Sequence, residues 1–201
     1  MKKEFLPYNT VRNNALRLAH RIYRDGFIPD VIYVSLRGGA YLGNVISEYF
    51  KLARRDGGRP VYYAAVVARS YTGVGAAEQI KVEGWTYDPN YLRVGDRVLL
   101  VDDIFDSGRT INHLAGIILE KGIPRADLKV AVHDYKFFRD RGEQLPVQPD
   151  YWCRRHDLSV RDEAVWIHYA SHELVGLTRA EVEEHYYAGD EGLRPAMEPF
   201  F

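Results

Sequence analysis

Cysteine appears once in the 201 residues, at Cys153, and methionine twice. A lone thiol closes no internal disulfide, so the fold rests on its apolar core and its hydrogen bonds. An excess of charge of one sign is missing as well. The 27 Lys and Arg stand against 28 Asp and Glu, a formal net charge of −1 at pH 7. That balance gives no bulk attraction to nucleic acid or to an anionic membrane, and neither is expected as a partner. Any anion has to be held by a local pocket. No apolar run approaches the ~20 residues of a membrane-spanning helix, and Met1 leads into KKEFLPYN rather than into a long apolar segment with a small-residue cleavage site. A cytoplasmic protein is the expectation.

Several motifs are absent too. No GxxxxGK[ST] occurs, which argues against a P-loop nucleotidase. Gly73 to Glu78 approaches a dinucleotide fingerprint, but Glu78 stands where a small residue is needed and no helical pattern follows. Cys153 with His156, His168 and His172 lacks the second thiol and the spacing of a zinc framework. Ser35 and Ser107 have no placed base for a hydrolytic triad and suit phosphate binding better.

What the chain does contain is 46% hydrophobic residues, enough for one sizeable core with a small lobe attached. Val11, Ala15, Leu18, Ala19, Ile22 and Tyr23 share one helical face between a cap at Asn9 or Thr10 and a stop at Gly26. Val31 to Val34 reads as a strand, Ser35-Leu36-Arg37-Gly38-Gly39 as a glycine loop, and Ala40 to Leu52 as a helix. A polar connector from Arg54 to Pro60 leads to a strand over Val61 to Ala68, and Arg69 to Gln79 reads as a long mobile loop. Ile80 to Glu83 alternates like an exposed strand. Val98 to Val101 follows as a strand, Ile111 to Lys121 as a helix ending at Gly122, and Leu128 to Val132 as another strand. Pro146 to Tyr169 reads as turns and short strands, and the tail carries a helix beginning TRAEVEE before a Gly/Pro-rich end with no assigned structure. Strand and helix alternate from Val31 to Val132, which predicts an α/β fold with a mainly parallel sheet covered on both faces.

The richest stretch is VLLVDDIFDSGRT, Val98 to Thr110. In an open α/β sheet, ligands lie beyond the carboxyl ends of the strands, where loops enter helices. The turn Asp106 to Thr110 opens a helix, so free backbone N–H groups, the Ser107 and Thr110 hydroxyls and the helix dipole converge on one anion, such as a phosphate monoester. Asp102 and Asp103, at the strand end, are placed to accept from vicinal sugar hydroxyls or to hold Mg²⁺ through water. Asp106, on the turn, can face a reacting centre. Read alone, such acids serve equally well as helix caps. Three of them after a buried strand, with a second glycine loop upstream, favour the site.

These residues resemble the phosphoribosyl-diphosphate signature of type I phosphoribosyltransferases: an apolar strand, two acids, two apolar residues, Asp, then Ser/Thr-Gly and a closing Thr. Further pieces resemble the 6-oxopurine branch of that family, which acts on hypoxanthine, guanine or xanthine. Leu36-Arg37-Gly38-Gly39 is similar to its pyrophosphate loop, for which the resemblance implies a non-proline cis peptide between Leu36 and Arg37. Arg69-Ser70-Tyr71 with Gln79 to Val82 resembles its lid, which would shield an oxocarbenium-like transition state from water. Lys136 stands where the branch has a lysine that donates to O6 of the base. Trp166 and Ile167 resemble its aromatic-aliphatic pair, whose ring stacks on the base and whose main chain reads the base edge. Glu173 aligns with an acid that helps bind metal and pyrophosphate, although the usual residue there is Asp and His172 is a neighbour with a possible role. Taken singly, a glycine turn, a solvated loop, a surface Lys or a core Trp would account for each piece.

The resemblance implies a single domain over residues 1–201, with a core at about 10–135 and a base-binding hood and C-terminal extension at about 136–201. It implies transfer of the 5-phosphoribosyl group from phosphoribosyl diphosphate (PRPP) to N9 of a 6-oxopurine, Mg²⁺ as cofactor, and a homodimer or homotetramer. In that scheme the PRPP-binding residues are Leu36, Arg37, Gly38, Gly39, Ser70, Tyr71, Asp102, Asp103, Asp106, Ser107, Gly108, Arg109 and Thr110. Asp106 is the catalytic residue. Lys136, Trp166 and Ile167 bind the base, and Asp102, Asp103 and Glu173 are candidate metal ligands. Two other classes stay open: a regulatory protein that senses PRPP or nucleotides in the same pocket, and a phosphoribosyltransferase for another base.

Overall fold

The computed structural model describes residues 2–54, 59–71, 79–139, 145–160, 163 and 165–201, with backbone alone at 69–71 and 79. The chain divides into two compact units, residues 9–164 and the pairing of residues 1–8 with 165–201.

In the larger unit, α1 (Tyr8–Arg24) begins at the boundary and buries Val11, Ala15, Leu18, Ala19 and Ile22 along one stripe, as its periodicity predicts, whereas Tyr23, expected on the same face, is exposed. Gly26, at φ +77°, ends it in the left-handed conformation that glycine adopts without steric cost. Next come β2 (Val31–Leu36), α2 (Ala40–Ala53), β3 (Tyr62–Tyr71), β4 (Gln79–Trp85), β5 (Val98–Phe105), α3 (Arg109–Leu119), β6 (Leu128–Phe138) and β7 (Tyr151–Leu158); β1 (Lys3–Leu6) precedes α1 and belongs to the smaller unit. The sheet of six strands runs β4-β3-β2-β5-β6-β7. Every pairing in it is parallel except β3 with β4.

The two central strands read VIYVSL and VLLV because helices cover both of their faces. Alternation then sorts their side chains. Tyr33 and Leu100 pack with Ile111, Leu114 and Ile118 of α3. Ile32, Val34, Leu99 and Val101 pack with Leu18 and Ile22 of α1 and with Leu42, Ile46 and Phe50 of α2. The chain moves outward from β2 to β3 and then returns to place β5 on the other side of β2. The loops after β2 and β5 are therefore neighbours at the point where the winding reverses, which is where open α/β sheets hold ligands.

Several expected strands are longer in the structure, among them β5, which runs to Phe105 rather than Val101. β3 continues to Tyr71 because β4 returns antiparallel beside it, pairing Arg69 with Lys81 and Tyr71 with Gln79. β6 continues from the expected end at Val132 to Phe138 because β7 pairs with it as far as Leu158. The polar residues His133, Asp134 and Lys136 conceal that extension in the sequence, yet all three are buried.

In the smaller unit β1 pairs in parallel with β8 (Trp166–Tyr169). The amine of Lys3 donates to the carbonyl of Gly176 and to Glu181 at 2.7 Å each. Thr178 and Glu181 form a capping box at the start of α4 (Arg179–Val182), which runs on as a π-helical turn over Glu183–Tyr187. Lys3 and the Thr178 backbone N–H together push the Glu181 carboxyl down to about 2. The Gly/Pro-rich end forms short helical turns, Glu191–Leu193, α5 (Arg194–Met197) and Glu198–Phe200. Arg194 braces them with a two-oxygen ion pair to Glu183 at 2.8 and 3.0 Å.

Leu100→Ala removes a fully buried side chain between β2, β6 and α3. It is expected to lower the unfolding free energy by about 2–5 kcal/mol in urea titration. Leu52→Ala, on a side chain 70% exposed, is expected to stay within about 0.5 kcal/mol of the parent.

Candidate active site

The site is built from two turns packed against each other. After β2, Gly38 and Gly39 leave no room for a side chain: a Cβ at Gly38 would lie 2.3 Å from the Asp103 carboxylate, and one at Gly39 would lie 2.8 Å from the Val101 carbonyl oxygen. The turn therefore rests directly on the end of β5. The peptide bond between Leu36 and Arg37 is cis, as the resemblance implies, and the Arg37 side chain is exposed.

After β5, Gly108 adopts φ +73°, and a Cβ there would meet the Phe105 ring at 2.3 Å and Leu145 at 2.7 Å. This glycine turns the chain into α3, whose first residue is Arg109. The Ser107 hydroxyl faces the Arg109 N–H at 3.4 Å. Asn112 holds the turn from below. Its amide donates to the carbonyls of Gly108 (2.9 Å) and Val147 (2.8 Å), and its Oδ1 accepts from the Val147 N–H (2.9 Å). In the sequence Asn112 does not stand out, because one polar residue in an amphipathic helix reads as surface.

The acids fall where the spacing puts them. Asp102 accepts from the Asp103 N–H at 3.0 Å, and Asp103 from the Ile104 N–H at 2.8 Å. Burial, and then the adjacent Asp103 charge, push the Asp102 carboxyl well above the usual carboxylate range; the Ser35 hydroxyl works the other way. Two carboxylates so close favour a cation or sugar hydroxyls beside them. Asp106 lies on the turn, and Lys136 of β6 donates to its Oδ2 at 3.2 Å. Lys136 is 7% exposed and Asp106 40%. The structure thus brings the expected catalytic acid and the expected base-reading lysine into one ion pair.

The other expected residues lie as follows. The side chains of Ser70 and Tyr71 and residues 72–78 of the expected lid lie outside the described residues. In the smaller unit Trp166 is 47% exposed and Ile167 is buried. Glu173 is tied to its own turn: its Oε2 accepts from the Tyr169 N–H at 3.2 Å and lies 3.3 Å from His168 Nδ1. Tyr186 donates to the Glu173 carbonyl at 2.9 Å, and its hydroxyl lies 3.0 Å from His168 Nε2. Burial lowers the His168 pKa, and the Glu173 charge opposes that shift. The single thiol is pushed up to about 12 by burial and by the Asp134 charge, so Cys153 is not a thiolate near neutral pH.

A mainly parallel sheet of this order, with glycine turns and paired acids at adjoining strand ends, defines a type I phosphoribosyltransferase fold. The chain belongs to the phosphoribosyl transferase domain family, whose model matches residues 7–166. A hypoxanthine-guanine phosphoribosyltransferase of Canis lupus familiaris is 28% identical over 123 residues, 60% of this chain and 56% of the dog protein, so the chain spans little more than half of that relative's length. The bifunctional protein PyrR of Thermoanaerobacter sp. (strain X514) is 30% identical over 155 residues, 75% of this chain and 82% of its own. Among solved structures, a purine phosphoribosyltransferase from Pyrococcus horikoshii Ot3 superposes with a TM-score of 0.65 at 21% identity, covering 89% of this chain and 100% of that one. A hypothetical protein from Neisseria gonorrhoeae with bound ppGpp does so with a TM-score of 0.65 at 19% identity, covering 95% of this chain and 97% of that one. These two likenesses establish the fold. No helix among the described residues is long and apolar enough to cross a membrane.

The turn after β5 gives a stability test. Gly108→Ala places a Cβ into Phe105 at positive φ and is expected to cost more than about 1 kcal/mol. Gly116→Ala, inside α3 with open space around it, is expected to raise stability by up to about 1 kcal/mol. Thermal melts of the two variants check the contrast.

Proposed function

We propose that the protein is a purine salvage phosphoribosyltransferase, transferring the 5-phosphoribosyl group of PRPP to N9 of hypoxanthine, guanine or xanthine with release of pyrophosphate. The observation that carries this reading is the Lys136–Asp106 pair at 3.2 Å, seated on the turn that opens α3. A turn built to hold a 5′-phosphate then has an acid and an amine at its side, the two groups that a 6-oxopurine needs near N7 and O6.

In this reading the 5′-phosphate lies on the N–H groups and hydroxyls of Asp106 to Thr110. Asp102 and Asp103 accept from the ribose hydroxyls, and Leu36 to Gly39 direct backbone N–H groups at the diphosphate. The N9–C1′ bond forms as the C1′–O bond to pyrophosphate breaks, and Asp106 manages the proton near N7. Lys136 donates to O6, which requires its amine to turn from Asp106 or to bridge both groups. The roles of Trp166 and Ile167 at the base, of Ser70 and Tyr71 in a lid and of Glu173 at a metal belong to the same proposal and rest on the sequence resemblance.

Mg²⁺ fits the acids at the end of β5. Asp102 is partly buried beside Asp103 with its carboxyl pushed upward, and a hard cation held by these two carboxylates would relieve their repulsion. When bound, such an ion would offset negative charge on the departing diphosphate.

A second reading keeps the pocket and drops the chemistry: a protein that senses PRPP or nucleotides. The PyrR match over 75% of the chain and the ppGpp-bound neighbour favour it. Pyrophosphate release with hypoxanthine, guanine, xanthine and adenine, each with and without Mg²⁺, separates the two. The expected outcome is Mg²⁺-dependent release with at least one 6-oxopurine and none with adenine; ligand binding without release supports the sensor. For the enzyme, Asp106→Asn is expected to lower kcat by roughly 100-fold with a smaller change in the KM for PRPP. Lys136→Ala is expected to raise the KM for the base by about tenfold.

A further inference from the structure

We propose that the cleft between α1 and the edge strand β7 is a second anion site, which takes a phosphate group, free or as a small monoester. None of the residues that line it belongs to the two glycine turns or to the acids of β5, and it does not rest on the reading above.

The cleft encloses about 230 Å³ and is lined by Asn14, Arg17, Leu18 and Arg21 of α1 and by Trp152 and Cys153 of β7. Two guanidiniums and no carboxylate are in that lining. Each arginine is held by a neutral partner. Arg17 donates to the Asn14 Oδ1 at 3.1 Å, and Asn14 is itself fixed, its Nδ2 lying 3.2 Å from Nε2 of buried His133. Arg21 donates to the Trp152 carbonyl at 2.7 Å, and its guanidinium carbon lies 5.8 Å from the centre of the Tyr151 ring and 5.9 Å from that of Trp152. Neither has a carboxylate within ion-pair distance among the described residues. Asp25 and Asp134, whose charges reach Tyr151 and Cys153, are engaged with other groups: Asp25 with the Tyr151 hydroxyl, and Asp134 with Arg154 at 3.1 Å and His156 at 2.6 Å. The Cys153 thiol, pushed up to about 12, adds no charge of its own.

Positive charge at a helix end has an ordinary use, since Arg21 and Arg24 oppose the negative end of the α1 dipole. That accounts for the last turn and leaves Arg17 unexplained, together with the makeup of the whole helix. Tyr8–Arg24 holds four arginines and a histidine, and no Asp or Glu. A solvated helix gains from opposite charges four residues apart, and like charges at that spacing destabilise it. Arg17 and Arg21 are such a like pair, and an anion between them removes the repulsion. A guanidinium is a planar fork of five N–H donors, of which each arginine gives one to the partner named above. Two forks on one cleft match the several oxygens and the double charge of a phosphate, whereas a carboxylate fills one fork alone. Size limits the rest of the ligand. The cleft is smaller than the ~300–1,000 Å³ of sites for drug-sized molecules, so it admits phosphate with a small body against Leu18 and Trp152.

The test follows the indole N–H of Trp152 by NMR in the full chain, with the signal assigned through Trp152→Phe, as inorganic phosphate, ribose 5-phosphate or sodium chloride of equal ionic strength is added. Phosphate is expected to move that signal to saturation with a Kd of about 1 mM or below, and chloride to leave it in place. Tighter binding of ribose 5-phosphate supports a monoester as the occupant, and equal binding supports the free ion. Arg17→Gln and Arg21→Gln are each expected to weaken phosphate binding at Trp152 by about tenfold. Arg21→Lys, which keeps the charge without the fork, is expected to weaken it less. The Gly108 amide reports separately on the turn that opens α3, and its response to phosphate is expected to be the same in every variant. The proposal is overturned if phosphate moves the Trp152 signal no more than chloride does, or if the folded double variant Arg17→Gln/Arg21→Gln binds as tightly as the wild type. None of these readings depends on phosphoribosyl transfer, so a chain that releases no pyrophosphate leaves this site standing.

Discussion

The close contact between two backbones at the carboxyl ends of β2 and β5 is the constraint on which the site depends. A parallel pairing that aligns Val34 with Val101 brings the two strand ends level. Only the missing side chains at Gly38 and Gly39 then let the first turn lie on the Val101 carbonyl and the Asp103 carboxylate. Any Cβ there would hold the turn away from β5. That separation would part the glycine turn after β2 from the acids at the end of β5. The long apolar strands, the covering helices and the reversal of winding at β2 all serve to bring these few atoms together.

Electrostatics follow from the same contact. A chain with almost no net charge gathers Asp102, Asp103 and Asp106 within one strand end and its turn. Burial makes Asp102 reluctant to ionise beside its neighbour, whereas Asp106 has the Lys136 amine at 3.2 Å. Acids four residues apart or fewer are thereby set in different surroundings: one pair lies side by side with its charges opposed, and one acid is balanced by an amine from the next strand. The field is local, as the overall composition requires.

Much of this was readable from the chain itself. β2, β5, α2 and α3 announce themselves because unbroken apolar runs meet glycine turns, and the DDIFDSGRT stretch carries its chemistry in consecutive residues. The family resemblance at that stretch agrees with the fold and with the family match over residues 7–166. Features that depend on distant pairing were hidden. β1 has four residues and exists through β8, more than a hundred and fifty positions away in the chain. The second half of β6 looks polar because His133, Asp134 and Lys136 find their partners on α1, β7 and the Asp106 turn. Asn112 has the same character: its partners are Gly108, four residues back, and Val147, thirty-five residues on.

That asparagine joins two stretches of chain into one mechanical piece. With both ends of its amide engaged, the glycine turn before α3 and the backbone leading into β7 share a single anchor. Changes of length in the connection between β6 and β7 are therefore not neutral insertions at a surface. Whatever displaces Val147 also loosens the footing of Gly108, so the architecture restricts where this family member can be lengthened without disturbing the turn that opens α3.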